Sequence, residues 1–334
     1  MRRLLATVSA AAVLLSATAA LGWASTGHRI VGQLAMEALP EEMPAFLRAP
    51  GMAAEVGELS RELDRSKGAG KTHDHLRDPA HFVDVDAAGR VLGGPRLDAL
   101  PETRLEYDAA LIAAGTDVNK AGWLPYAMVD GWQQLVKDFA HWRVLVAAER
   151  LATTPERRAW YAEDRARRER LIVNNLGVWA HYVGDASQPH HTTIHYNGWA
   201  GPNPKGYTTS KQTHGTFEGA FVRANLTAAA VRSRMPAPDP VGPIHAEVAE
   251  YLGQTLTQVE PFYALEKAGG FRPGDPRGVA FAAERLAAGA GELRDLTVAA
   301  WRASETASVG YPAAPVKDYV SGKVDPWDAL YGKD

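Results

Sequence analysis

Apolar residues in this sequence recur at intervals of three and four along almost its whole length. Alternation at intervals of two is scarce. That spacing belongs to helices with one buried face, because residues three and four apart share a face of an α-helix. Ile30, Val31, Leu34 and Ala35 set the first stripe, with Ser25 and Thr26 placed before it as N-cap candidates. The pattern predicts further helices over about 53–63, 102–114, 126–151, 156–187, 212–234, 245–265 and 279–304. Phe82, Val83 and Val85 suit a short extended piece. Gly- and Pro-rich loops fall at 196–211, 235–243 and 269–276. No internal repeat and no flexible domain linker interrupts the pattern. The expected fold class is all-α, a single domain of long helices packed around a core.

Arg2 and Arg3 precede an alanine-rich apolar stretch from Leu4 to Leu21. A basic start followed by such a run reads as an export signal. Cleavage after Ala20-Leu21-Gly22 leaves Trp23 as the first mature residue, with an uncleaved membrane anchor as the alternative. The expectation is a signal at 1–22, one domain at 23–334, and a periplasmic or secreted product. No other apolar run is long enough to cross a bilayer, so no stable membrane association is expected after cleavage. No obligate protein partner is evident.

The formal charge is −3, without a basic footprint. That argues against binding a long duplex through its phosphates. Cysteine is absent, which excludes disulfides, thiolate metal sites and a cysteine nucleophile. A metal ion in this chain must take histidine, carboxylate or backbone donors.

The chain has eleven histidines, and their arrangement carries the functional signal. His181 and Asp185 lie four apart on a predicted helix, so an imidazole and a carboxylate can reach one cation together. His214 and Glu218 repeat the spacing. Either pair alone reads equally as a surface ion pair. Pro189 ends the helix soon after Asp185 and turns His190 or His191 back toward it. A helix C-terminus decorated with histidine is the competing account. At the expected new terminus, a free α-amine and the first carbonyl of Trp23 can chelate one ion, with His28 beyond a glycine as a further donor.

These pieces together resemble the zinc-dependent phosphodiesterase superfamily that joins fungal and plant single-strand-specific nucleases with bacterial zinc-dependent phospholipase C. The matching segments are Trp23…His28, His81-Phe82-Val83-Asp84, His181-x-x-x-Asp185-x-x-Gln188-Pro189-x-His191 and His214-x-x-x-Glu218, in the family's order. The resemblance implies three zinc ions per chain. One is held by Asp64, His81, His181 and Asp185. A second is held by the Trp23 amine and carbonyl, His28 and Asp185, whose carboxylate bridges the two. The third is held by His191, His214 and Glu218. His190 stands where the family usually has an apolar residue and reads as a non-ligand. Asp74, between His73 and His75, competes with Asp64, and His73-x-His75 itself reads as a solvated loop. Glu218 matches the phospholipase branch, since the nucleases usually carry aspartate there.

The implied activity is that of an endonuclease or 3′-nucleotidase on single-stranded DNA and RNA, giving 5′-phosphorylated products. Zinc-dependent phospholipase C and a non-catalytic zinc-binding protein are the alternatives. The expected partner is a single-stranded nucleic acid or nucleotide substrate. Asp185 and Asp64 take the catalytic positions, Asp64 accepting a hydrogen bond from the attacking water. Lys67 is placed to touch phosphate, with an ordinary solvated lysine as the alternative. Phe82 is placed to stack a base, with core packing as the alternative. The Trp199 loop is expected along the same cleft. The Asn225-Leu226-Thr227 sequon falls on a predicted helix and reads as incidental.

Overall fold

The structure, a computed structural model, describes residues 23–332. The expected export signal at 1–22 lies outside the described residues. The fold is all-α. Among the described residues the paired strands are one two-residue match, Ser308–Val309 with Ala314–Pro315. Helix α1 spans Ala24–Glu37, α2 Met52–Leu59, α3 Leu124–Leu151, α4 Pro155–Asp185, α5 Ile244–Leu256 and α6 Pro276–Ala303. Only three residues join α3 to α4, so the two longest helices fold back along each other. Thr154 caps α4 by accepting the Arg157 N–H, and Pro155 takes the first helical position, where a missing N–H costs nothing.

α1 packs against α2, α4 and α6. Its buried stripe carries Ile30, Val31, Leu34 and Ala35, and His28 lies on the same stripe, fully enclosed. α1 meets α2 at two glycines. A Cβ on Gly57 would lie 2.9 Å from the Arg29 carbonyl, and one on Gly32 would lie 3.1 Å from the Gly57 Cα. That approach brings Ser60, just past α2, against the turn holding His28. Among the described residues, no helix is long and apolar enough to cross a membrane.

Local readings differ from the structure where side chains compete with the helix. Ser25 and Thr26 lie inside the first turn of α1, and Trp23 takes the cap position. The helix expected over 53–63 stops at Leu59. There the Ser60 hydroxyl bonds the Gly57 and His28 carbonyls, and a separate turn, Glu62–Ser66, follows. The stretch 245–265 breaks after Leu256 and resumes as Val259–Lys267. The stretch 212–234 is broken most. Thr213–Gly215 is helical, Thr216–Phe221 widens to a π turn, and Leu226 is extended before Thr227 caps Ala228–Arg232. Asn225 ends the helical part. Its amide donates to the Phe221 carbonyl and accepts the Gly274 N–H, both at 2.8 Å, which gives it a structural task.

Candidate metal centre

The C-terminal end of α4 presents His181 and Asp185 on one buried face. Gln188 and Pro189 then turn the chain into a short 3-10 segment, Pro189–Thr192, which returns His191 to the same place. The extended piece after His81 clamps it there. The Val83 N–H donates to the His191 carbonyl at 2.9 Å, and His191 Nδ1 donates to the His81 carbonyl at 2.6 Å. Val85 goes on to bridge Val91, so the expected extended piece exists as a single bridge rather than a strand. α1 supplies His28, the Glu62–Ser66 turn supplies Asp64, and the π turn sets Glu218 beside His214. A π turn inside a helix is frequent where a functional side chain must be re-aimed.

Three groups of donor atoms converge: His28 with His181 and Asp185, Asp64 with His81 and His181, and His191 with His214 and Glu218. Asp185 stands between the first two. Its Oδ1 lies 3.3 Å from His28 Nε2, and its Oδ2 lies 2.9 Å from His81 Nδ1 and 3.3 Å from His181 Nε2. Asp64 Oδ1 is 3.8 Å from His181 Nε2. In the third group Glu218 Oε2 is 2.8 Å from His214 Nε2 and 3.7 Å from His191 Nε2, with the two imidazole nitrogens 3.1 Å apart. Donors held about 2.0–2.1 Å from a tetrahedral divalent cation stand roughly 3.3–3.4 Å from one another. These spacings are those of ligands aimed at a shared ion.

Unpaired atoms point the same way. Both nitrogens of His28, Asp185 Oδ1 and Glu218 Oε1 are buried without a hydrogen-bond partner. Leaving such groups bare costs about 1–3 kcal/mol each, more for charged ones. A cation in each group would engage His28 Nε2, Asp185 Oδ1 and Glu218 Oε1, leaving His28 Nδ1 still unpaired, so the donors fit three metal ions. Outer contacts hold some ligands in place. His181 Nδ1 donates to the Ser60 carbonyl at 2.8 Å, and Gln188 Nε2 donates to Glu218 Oε2 at 3.0 Å. Ser60 carries no local sequence signal. It acts here through its backbone and through a helix crossing made possible by Gly32 and Gly57.

The structure brings together His28, Asp64, His81, His181 and Asp185, and separately His191, His214 and Glu218. Asp74 stays outside these groups, tied to its neighbour His73 at 3.0 Å. His75 meets Asn119, so His73-x-His75 is no metal motif, and it lies on a short helix rather than in the expected loop. His190 joins none of the three groups. Trp23 is fully buried, and its indole N–H is shared between the Gly184 carbonyl at 2.9 Å and Ser187 Oγ at 2.8 Å. This fixes residue 23 against the end of α4, one position before Asp185. Ala24 follows with φ at +40°, a left-handed conformation that costs a non-glycine residue about 1–2 kcal/mol and is retained where surroundings impose it.

A cavity of about 540 Å³ opens against the His81, His191 and His214 side of the centre. Lys67, Phe82, Asp84, Asn119, Lys120 and Tyr196 line it. Lys67 is not the solvated lysine of the alternative reading. Its side chain is 11% exposed and its Nζ sits 2.7 Å from Asp64. Phe82 is half-buried on the cavity wall, and Gly122 packs so closely behind it that a Cβ there would lie 2.2 Å from the Phe82 carbonyl. Trp199 does not line this cavity. It stacks on His195 at 3.9 Å, and its loop contributes Tyr196 instead. Asn119, Lys120 and Tyr196 carry no local sequence signal, because only the folded chain brings their distant segments to one wall.

Charge in the centre is set by burial against close partners. Burial, aided by Lys67 and His181, pushes His81 down to about 3. Burial and His181 likewise lower His28. Burial alone would raise Asp185, but the neighbouring imidazoles of His181 and His191 hold it well below the usual carboxylate range. Glu218 falls to about 2 because His214 and His191 outweigh its burial. His191 rises to about 9, since Asp185 and Glu218 outweigh its burial. At Asp84 burial outweighs the nearby His191 and lifts the carboxyl to about 8.

A consequence follows for metal uptake. With its value raised to about 9, His191 carries a proton at neutral pH in the metal-free protein, and a metal must displace it. Affinity at the His191–His214–Glu218 group is therefore expected to fall about tenfold per pH unit between pH 8 and 6 for each proton displaced. Metal titration in weakly buffered solution should record proton release. Affinity independent of pH across that window would contradict this charge assignment.

The chain matches no protein-family model, and no curated protein matches it.

Proposed function

We propose that this chain is an exported zinc-dependent phosphodiesterase, acting as an endonuclease or 3′-nucleotidase on single-stranded DNA and RNA with 5′-phosphorylated products. The observation that carries the reading is the position of Asp185 between two donor groups, with His191 of the third group 3.9 Å away and a cavity lined by His81, His191 and His214. Imidazole and carboxylate donors without thiolates suit zinc. Zinc bound there supplies Lewis acidity and positive charge against a phosphodiester.

The chain's own residues have separable tasks. Asp185 holds the first two groups in register. Asp64 would accept a hydrogen bond from the attacking water. Lys67 provides a cation at the cavity wall, and a phosphate oxygen competes with Asp64 for it. Phe82 offers a ring face on which a base can stack, worth roughly 1–3 kcal/mol. An acidic chain with few lysines at its cavity fits short contacts with flexible single strands better than a duplex footprint.

Phospholipase C is the second reading. It draws support from Glu218 and from an exposed apolar face on the Arg104–Ala113 helix, where Leu105 is 79% and Ile112 66% exposed. An activity panel on zinc-loaded protein beginning at Trp23 separates the readings. Turnover of single-stranded DNA, RNA or 3′-nucleotides supports the nuclease, and turnover of phosphatidylcholine alone supports the lipase. Bound zinc with no turnover leaves a zinc-binding protein.

Two further results are expected. Elemental analysis after zinc dialysis should find three ions per chain, and one ion or none would remove the trinuclear reading. Phe82→Ala should raise KM for oligonucleotides about tenfold or more while changing KM for a simple aryl phosphodiester little. Equal effects on both substrates would assign Phe82 to packing.

A further inference from the structure

His190 is 1% exposed, and neither of its ring nitrogens has a hydrogen-bond partner. Its ring meets Phe262 edge-on at 4.3 Å, a face that gives the imidazole nothing to bond. A leucine there would bury without that penalty. The same neighbourhood holds a second vacancy of the same kind. His214 faces Glu218 and His191 through Nε2, and its Nδ1 is buried with no partner. The other members of the group are braced. His191 Nδ1 is committed to the His81 carbonyl, and Glu218 accepts from Gln188. The His190 and His214 rings are neighbours, with centroids 4.9 Å apart and planes inclined at 32°. Gln188 also fixes the His190 backbone, its Oε1 accepting the His190 N–H at 2.7 Å.

Imidazoles that ligate a metal ordinarily donate their other N–H to an outer acceptor, which fixes ring orientation and raises ligand basicity. We infer that His190 is that acceptor for His214, reached from its Nδ1–H through one water in the cavity that both rings line. His190 is then a positioning residue for the His191–His214–Glu218 group. It belongs to none of the donor groups, although its ring reaches the cavity wall. The inference rests on the reading of that group as a metal site.

The test measures Zn²⁺ affinity and stoichiometry by chelator competition, together with the thermal midpoint of the metal-free protein. His190→Leu fills the apolar pocket but cannot accept a hydrogen bond. It is expected to weaken the third zinc 10- to 100-fold, to leave the other two bound, and to keep or raise the metal-free midpoint. His190→Gln restores an acceptor and should recover part of the lost affinity. Third-site affinity unchanged in His190→Leu overturns the inference, and so does equal weakening in both variants, which marks a packing role. His214→Ala separates this from failure of the site itself. If that variant binds as many ions as the parent, there is no third site and no ligand for His190 to orient.

Discussion

Asp185→Asn should lower turnover of single-stranded DNA by roughly a thousandfold or more while leaving the helical fold intact. Asparagine keeps the shape of the side chain and its place on α4. It loses the negative charge that sits 2.9 Å from His81, and 3.3 Å from both His28 and His181. Two cations held close together repel strongly, and a shared anion is what offsets that repulsion. The amide nitrogen adds a donor where the neighbouring groups need an acceptor. The fold should survive because α4 is held along its length by α1, α2, α3 and α6. The measurements are kcat/KM, bound zinc and far-ultraviolet circular dichroism. Near-normal turnover with three ions bound would show that Asp185 bridges nothing.

The parts of this fold that could be read in the sequence are those governed by local rules. α3 and α4 lie within a few residues of their expected bounds, since each has a long apolar stripe and α4 a threonine–proline start. His181 with Asp185 and His214 with Glu218 were legible for the same reason, because spacing on a helix fixes a shared face. What escaped was decided by tertiary contact. Periodicity cannot see that Ser60 will bond the His28 carbonyl and end α2, or that Glu218 will sit on a π turn. The choice between Asp64 and Asp74 is likewise spatial. Both follow small polar turns, and only the path from α2 into the Glu62–Ser66 turn carries Asp64 to His181. Lys67 looked solvated because its neighbours Ser66, Gly68 and Gly70 signal an open loop, yet the same turn folds it onto Asp64.

Adding a single methionine ahead of Trp23 should remove the zinc at the His28 group, and with it at least about a hundredfold of the hydrolysis rate. A terminal amine, with a reference value near 7.7–8.0, can give up its proton and offer a lone pair. A peptide nitrogen is delocalised into its carbonyl and cannot. Without the amine, the His28–His181–Asp185 group has two imidazoles, one already shared with Asp64 and His81, and a carboxylate serving two groups. That is too few donors for a closed site. The expected further donor is the amine of Trp23. Its indole is anchored on Gly184 and Ser187, its carbonyl accepts the Gly27 N–H at 3.1 Å, and His28 follows on the same helix. The strained φ of Ala24 bends the chain at this point. The comparison needs two proteins, one beginning at Trp23 and one carrying the extra methionine, assayed for bound zinc and for hydrolysis of single-stranded DNA. Trimming the added residue should restore both. If the two proteins bind and cleave equally, the amine is not a ligand.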